Sequence, residues 1–304
     1  MEHHRPGPAA RRNDPGRTCG PPRRPGARIV SLAHVHPGPD TNLAASEPPV
    51  AVAALLVAVA YALAAGRLRR RGDAWPWWRD VSFTAGSIAM AWAAVGRPPG
   101  GPFTGHMIQH LVLGMGAPLL LVVARPLTLA LRALPPGRVR GSLTTLMHLS
   151  PARWLVFPPL AALLDVGGLW LLYRTGLFAA MAHHPLLHAV AHAHLLAAGL
   201  LFTFAVCQLD PVRHRWSVVV RGTTLLAAGA AHGGLAKTLH SLPPPGTDFT
   251  TADLHSGAQL MYYGGDAAGA ALAVVLGVGW SATRGRTDPD RSSAPSGRVT
   301  LGRH

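Results

Sequence analysis

Histidine is concentrated in three parts of this chain, and each part adjoins a long apolar stretch. Imidazole is the commonest metal-ligating side chain, and transition metals such as copper accept it readily. An ionisable side chain inside or beside hydrocarbon is costly and generally faces other protein groups. The candidate metal ligands are therefore the histidines closest to these stretches: His110, His188 and His192 first, then His106, His194 and His232.

The spacing of these histidines places several of them on shared helix faces. His106 and His110 are four residues apart, so on a helix they are neighbours. His184, His188 and His192 repeat this spacing in a later segment. Pairs placed in this way can share one metal ion. Alternatively, one member can bind the ion while the other gates access to it. Interfacial histidines that contact lipid headgroups are the alternative.

Two carboxylates, Asp165 and Asp266, lie about midway along long apolar stretches of the sequence. If these stretches cross a membrane, both carboxylates lie at a depth similar to that of the histidines. A lone ionised aspartate at the bilayer centre costs about 2.5–3.5 kcal/mol on insertion scales. We therefore expect each to be neutral, paired with a histidine, or hydrogen-bonded so that it orients one. The alternative is a hydrogen bond to the backbone of a neighbouring helix. The same orienting role is predicted for His184 and His255.

Composition indicates the elements that must position these groups. The chain has 304 residues, of which 13% are charged, about half the share of a typical soluble domain. Its long apolar runs predict an all-α polytopic membrane bundle of about seven transmembrane helices, flanked by disordered tails at 1–47 and 283–304. The predicted helices are 48–66, 80–96, 105–124, 153–173, 185–207, 216–239 and 256–280.

The distribution of arginine predicts the orientation of this bundle. The segments 67–80, 125–153, 210–221 and 284–304 hold eighteen Arg and no Lys, whereas the alternate loops hold one basic residue each. Basic residues accumulate on the cytoplasmic side. The N-terminus is therefore predicted outside and the C-terminus inside, in a multi-pass plasma-membrane protein whose histidine clusters all face outward.

Several other functions lack support in the sequence. No basic stripe with interleaved aromatic residues indicates nucleic-acid binding. The two cysteines, Cys19 and Cys207, form no CxxC motif. No nucleophile–base pair, phosphate loop or H-E-x-x-H motif indicates an enzyme. Met107, Met115 and Met261 lie at the depth of the histidines and offer soft sulfur donors, but they are assigned to core packing.

Three segments carry a resemblance to a known family. HMIQHLVLGMGAPLLLVVARP, HPLLHAVAHAHLLAAGLLFTFAVCQLDP and DLHSGAQLMYYGGD resemble signatures of the CtaG-type cytochrome c oxidase assembly factors, a seven-span bacterial membrane family. The resemblance runs from about position 50 to 282. It implies a role in maturing haem–copper oxidase, with the oxidase subunits as partners and copper as the metal delivered on the outer face.

Two other functions fit the same residues. A membrane cytochrome would need two axial histidines on facing helices, for instance His110 with His194. A copper transporter would need polar groups along the whole path to the cytoplasm, but of the histidines outside the two tails only His148 and His214 lie on the predicted inner side. The expectation from sequence is a non-enzymatic assembly factor that binds copper at a histidine cluster.

Overall fold

A computed structural model describes residues 47–148, 154–211 and 214–284. Within these ranges the chain is helical and contains no strand, which confirms the all-α prediction. The predicted tails fall outside the described residues except at their inner edges, 47 and 283–284. The helices are α1 Glu47–Arg70, α2 Trp77–Val95, α3 Pro102–Leu111, α4 Ala117–Val123, α5 Pro126–Ala133, α6 Arg138–His148, α7 Pro158–Arg174, α8 Leu177–Met181, α9 Pro185–Cys207, α10 Val218–Ser241 and α11 Thr251–Arg284.

Each of the seven segments predicted to span a membrane contains a helix. Among the described residues, four stretches are long and apolar enough to cross a bilayer: Pro48–Arg70, Pro102–Val123, Pro185–Cys207 and Thr251–Ala282. The helix α7 has 17 residues, at the lower limit of about 17 for a span. The chain is thus helical with four candidate spans, and the seven-span count and the orientation stay predictions.

The last helix begins earlier than its apolar pattern predicts. The expected start is at 256, but α11 begins at Thr251. Its first turn is polar, and the backbone N–H of Asp253 donates to the Thr250 hydroxyl at 3.3 Å. A threonine that accepts such a bond stabilises a helix start without any apolar residue, which is why hydrophobicity alone misses this turn.

A π-helical turn, Val112–Gly116, joins α3 to α4 and keeps the two in one continuous stretch. The Ala117 N–H donates to the Val112 carbonyl, one residue further back than in an α-helix. The helix α9 crosses this turn closely, because a Cβ at Gly199 would collide with the backbone of Gly114. Such turns are frequent at functional sites, and this one begins two residues after His110.

Packing brings the histidine-bearing segments to one end of the bundle. The helix α9 packs against the π-helical turn, α4, α7 and α11, while α3 lies along α11 and α10 contacts both α7 and α11. We call the end where α3, α9 and α11 begin and where α7 and α10 finish the histidine end.

The start of α3 is capped by a residue from α11. The Asp253 carboxylate accepts the backbone N–H groups of Phe103 and Thr104 at 2.9 and 3.0 Å. The residue at the cap position of α3 itself is Gly101, which offers no side chain, and a Cβ there would collide with the Asp253 carboxylate. This contact ties the first turn of α3, and with it His106, to α11.

We predict that Asp253→Ala destabilises the bundle. Loss of a helix cap costs about 0.5–2 kcal/mol, so the thermal unfolding midpoint of the detergent-purified protein should fall by several degrees. The matched control is Asp248→Ala, which removes an exposed carboxylate from the preceding loop. Equal midpoints for the two variants would contradict a capping role.

Candidate metal site

Two imidazoles meet inside the bundle, His110 from α3 and His232 from α10. Their Nε2 atoms are 3.3 Å apart, and the residues are only 1% and 3% exposed. The ring planes differ by 17° and the centroids are 5.7 Å apart. With the Nε2 atoms 3.3 Å apart, this centroid distance means that the two rings point at each other end to end. We call these residues the His110–His232 pair.

This arrangement has two chemical uses. When both imidazoles are neutral, one Nε2–H donates to the other Nε2. Alternatively, both lone pairs can converge on one ion that lies between them. Two metal–nitrogen bonds of about 2 Å in line need nitrogens about 4 Å apart. The pair would therefore have to open by a fraction of an ångström, which a rotamer adjustment can supply.

Gly265 provides the space for one of these rings. A Cβ built on Gly265 would overlap Cε1 and Nδ1 of His232, and a Cβ on the neighbouring Gly264 would overlap Leu111. The two glycines of the YYGGD motif therefore allow α11 to approach both α10 and α3. Close approach through small residues is the usual way in which membrane helices pack.

Three more predicted ligands gather beside the pair, toward the histidine end. The ring centroids of His188 and His192 are 4.1 Å apart, and those of His192 and His106 are 5.9 Å apart. His106 Nε2 and the Tyr173 hydroxyl share a hydrogen bond of 2.9 Å. These histidines are only partly buried. We call His106, His188 and His192 the half-buried group.

Tyr173 is a site residue that the sequence did not single out. It is fully buried, and its ring also lies 6.4 Å from that of His110. It therefore contacts both the half-buried group and the His110–His232 pair. An aromatic residue near the end of an apolar run is typical of the membrane interface, so no pattern in the sequence set this tyrosine apart.

The other predicted histidines lie outside both the His110–His232 pair and the half-buried group. His194 is exposed, and its Nε2–H donates to the Leu164 carbonyl at 3.2 Å, in space left free by Gly168. It thus faces α7 rather than His110. His184 is exposed just before α9. His255 stacks on His240 with centroids 4.0 Å apart, nearer the histidine end.

The two predicted carboxylates have different environments. Asp165 is 7% exposed and lines a small cavity together with His232. Asp266 is exposed, and it is close enough to His232 for their charges to interact. Asp165 therefore shares a cavity with His232, and Asp266 acts on the same imidazole through its charge.

The six predicted ligands do not form one coordination sphere. Among the residues that the structure describes, no three His, Cys, Asp or Glu side chains are grouped closely enough to hold a metal ion. Five of the six instead form two adjacent units, the buried His110–His232 pair and the half-buried group. Among the predicted ligands, the closest contact between two ring nitrogens is that of the His110–His232 pair.

The Asp-Pro end of the second signature has a structural role at the opposite end of the bundle. Asp210 is 1% exposed and accepts the backbone N–H and hydroxyl of Thr128 at 2.8 and 2.5 Å. Burial raises the pKa of the Asp210 carboxyl. The contact anchors the first turn of α5 and takes no part in the histidine cluster.

Comparison with known proteins finds relatives in mycobacteria. The chain is 33% identical over 171 residues to uncharacterized proteins of Mycobacterium bovis and Mycobacterium tuberculosis, an overlap of 53% of this chain and 26% of each relative. An uncharacterized protein of Mycobacterium leprae is 32% identical over 193 residues, or 60% of this chain and 29% of that protein. The chain thus spans between a quarter and a third of the length of the curated relatives it matches. No solved structure matches it significantly.

The family model extends over most of the chain. It matches residues 59–283, which include all of the signature segments and both histidine units. Because this match covers well over half of the sequence, the chain belongs to the cytochrome c oxidase caa3 assembly factor (Caa3_CtaG) family.

Proposed function

We propose that this protein assists the maturation of cytochrome c oxidase by holding Cu(I) at the His110–His232 pair and passing it to an oxidase subunit. The observation that carries the proposal is the buried, end-to-end contact of the two Nε2 atoms at 3.3 Å. Family membership supports the role in oxidase assembly. The role is one of binding and transfer, without catalytic turnover.

Cu(I) suits this pair better than other metal ions. Cu(I) tolerates linear two-coordination by nitrogen, whereas structural zinc takes four ligands and calcium six to eight. A charge is costly in a low-dielectric interior, so a monovalent ion between two neutral imidazoles costs less than a divalent one. The described residues offer the pair no third histidine, cysteine or carboxylate ligand, which disfavours the higher coordination numbers.

The surroundings of His110 favour the release of copper as well as its binding. Its Nδ1 atom is buried and has no hydrogen-bond partner among the described residues. When Nε2 binds a metal ion, the proton of the neutral ring must sit on Nδ1. An unsatisfied buried donor costs about 1–3 kcal/mol, so this strain would weaken the complex. A weakened complex favours transfer of copper over permanent retention.

The half-buried group provides a route to the pair. His188 and His192 lie nearer the histidine end and are more exposed, His106 contacts His192, and His110 follows His106 by one helical turn. Copper arriving at this end would therefore meet imidazole at each step inward. With the orientation that the arginine distribution predicts, this end faces outward from the plasma membrane, where the copper-receiving oxidase subunits would be reached.

A binding measurement tests the copper site. Detergent-purified protein should compete with a chromogenic Cu(I) chelator, and His110→Ala/His232→Ala should abolish this competition. The matched control is His240→Ala/His255→Ala, which removes another pair of contacting imidazoles at the same end and should leave copper binding unchanged.

Three results would overturn this proposal. One is wild-type protein that fails to compete for Cu(I), and another is a His110→Ala/His232→Ala variant that competes as well as wild type. The third is a b-type haem spectrum in purified protein, which would favour a membrane cytochrome instead.

A further inference from the structure

A small cavity lies beside the His110–His232 pair, deeper in the bundle. Its volume is about 40 Å³, and residues of the π-helical turn, α4, α7, α9, α10 and α11 line it. A cavity of roughly 10–15 Å³ on this measure already admits one water molecule, so this one has room for an ion together with a water. Its wall is mostly apolar, and the side chains with donor atoms are Met115, Asp165, Thr203 and His232.

Asp165 is the unusual member of this wall. It is 7% exposed, and its carboxylate forms no hydrogen bond or ion pair among the described residues. Its neighbours Val166 and Leu169 belong to the apolar cores on either side. A buried carboxylate is ordinarily hydrogen-bonded, paired with a cation or bound to a metal ion. This carboxylate therefore lacks a partner, and a cation in the cavity would provide one.

The ring of His232 connects the pair to the cavity. Its Nε2 faces His110. Its Nδ1 edge lies where a side chain at position 265 would be, and Gly265 lines the cavity as well. One imidazole therefore borders both places, and a modest rotation would direct Nδ1 into the cavity.

We propose that this cavity is a second position for Cu(I), formed by His232 Nδ1 and the Met115 thioether, with the Asp165 carboxylate as counter-charge. The inference rests on the proposed copper function and extends it. A thioether is a soft donor that suits Cu(I), and one carboxylate neutralises one monovalent ion. A neutral imidazole has a single lone pair, so His232 holds the ion either at the pair, on Nε2 with its proton on Nδ1, or in the cavity, on Nδ1 with its proton on Nε2. The cavity is thus a step along the path rather than a second store.

The variant His110→Ala isolates the cavity position. It removes one nitrogen of the pair and leaves Met115, Asp165 and His232 in place. We expect this variant to bind Cu(I) still, with lower affinity, and its copper X-ray absorption spectrum to show a sulfur neighbour. That sulfur signal should disappear in His110→Ala/Met115→Leu, which keeps the volume of the side chain.

Asp165 is tested in the same background. His110→Ala/Asp165→Asn should bind Cu(I) roughly 10–100-fold more weakly than His110→Ala, the range typical of losing a group that supports a metal site. The control is His110→Ala/Asp266→Asn, which removes an exposed carboxylate near His232 that does not line the cavity. Its affinity should stay within about threefold of His110→Ala.

The outcomes separate the two proposals. If wild type binds Cu(I) and His110→Ala either binds none or shows only nitrogen neighbours, the cavity position is wrong and the pair stands. Equal affinity of the Asp165 and Asp266 variants would also refute it. Wild-type protein that binds no Cu(I) would instead refute the proposed function.

Discussion

Gly265→Ala should weaken Cu(I) binding by roughly 10–100-fold, as expected for a change that displaces a metal ligand. The added methyl group would overlap Cε1 and Nδ1 of His232. The imidazole would have to rotate or α11 would have to move away, and either change breaks the end-to-end contact with His110. Affinity measured by competition with a chromogenic Cu(I) chelator, with the thermal midpoint recorded beside it, checks this result.

Gly269→Ala is the matched control for this substitution. Gly269 lies four residues further along α11 and lines the same cavity, but nothing lies within 4 Å of a Cβ built there. Both substitutions remove a helical glycine and so bring the same gain in helix propensity, about 0.5–1 kcal/mol. Copper affinity should fall only for Gly265→Ala. Equal affinities in the two variants would mean that the position of His232 does not govern binding.

Deleting the gene for this protein should lower cytochrome c oxidase activity severalfold while the oxidase subunits are still made. The physical reason is that the proposed two-nitrogen site would present Cu(I) in a buried, protected form, which free copper in the medium replaces poorly. Activity and subunit abundance in membranes from the deletion strain check this result. Added copper should restore part of the activity, because mass action can compensate for a missing carrier.

Other roles would produce different deletion phenotypes. A protein that only helps subunits to fold would cause the loss of activity without any response to copper. An electron carrier would leave the oxidase fully active with an artificial donor, and only electron flow upstream of it would fail. Neither pattern is compatible with copper transfer.

Much of the helical framework could be predicted from sequence, because apolar length is a direct physical requirement of a membrane-spanning helix. The segment predicted at 185–207 coincides with α9. The gathering of the histidines at the histidine end also follows from simple topology. When successive helices alternate in direction, the first half of the apolar stretch Pro102–Val123 and the last half of α10 reach the same end of the bundle, and this places His110 and His232 at similar depth.

The identity of the contacting pairs could not be predicted in the same way. His188, His192 and His194 lie within two turns of one helix, yet His192 contacts His106 of α3 with His188 beside it, while His194 bonds to α7. The rotation of α9 depends on its close crossing with Gly114 in the π-helical turn. A period of 3.6 residues cannot foresee a π-helical insertion, which rotates every residue after it relative to a regular helix.

The contact made by Gly265 could not be predicted from the sequence either. A small residue in an apolar helix predicts close packing, but it does not say which side chain fills the space. Only the three-dimensional arrangement brings His232 over Gly265 and leaves Asp165 facing the adjacent cavity. His110, Asp165, His232 and Gly265 come from four different helices, α3, α7, α10 and α11.

The copper content of oxidase purified from cells whose only copy of this protein carries His110→Ala/His232→Ala tests the proposed function most directly. The substituted protein must be present in the membrane at the wild-type level, and copper should be measured relative to haem. Copper transfer through the pair predicts an oxidase with intact subunits and haem but markedly less copper than the wild-type strain provides. An oxidase with its full copper complement in that strain would contradict it.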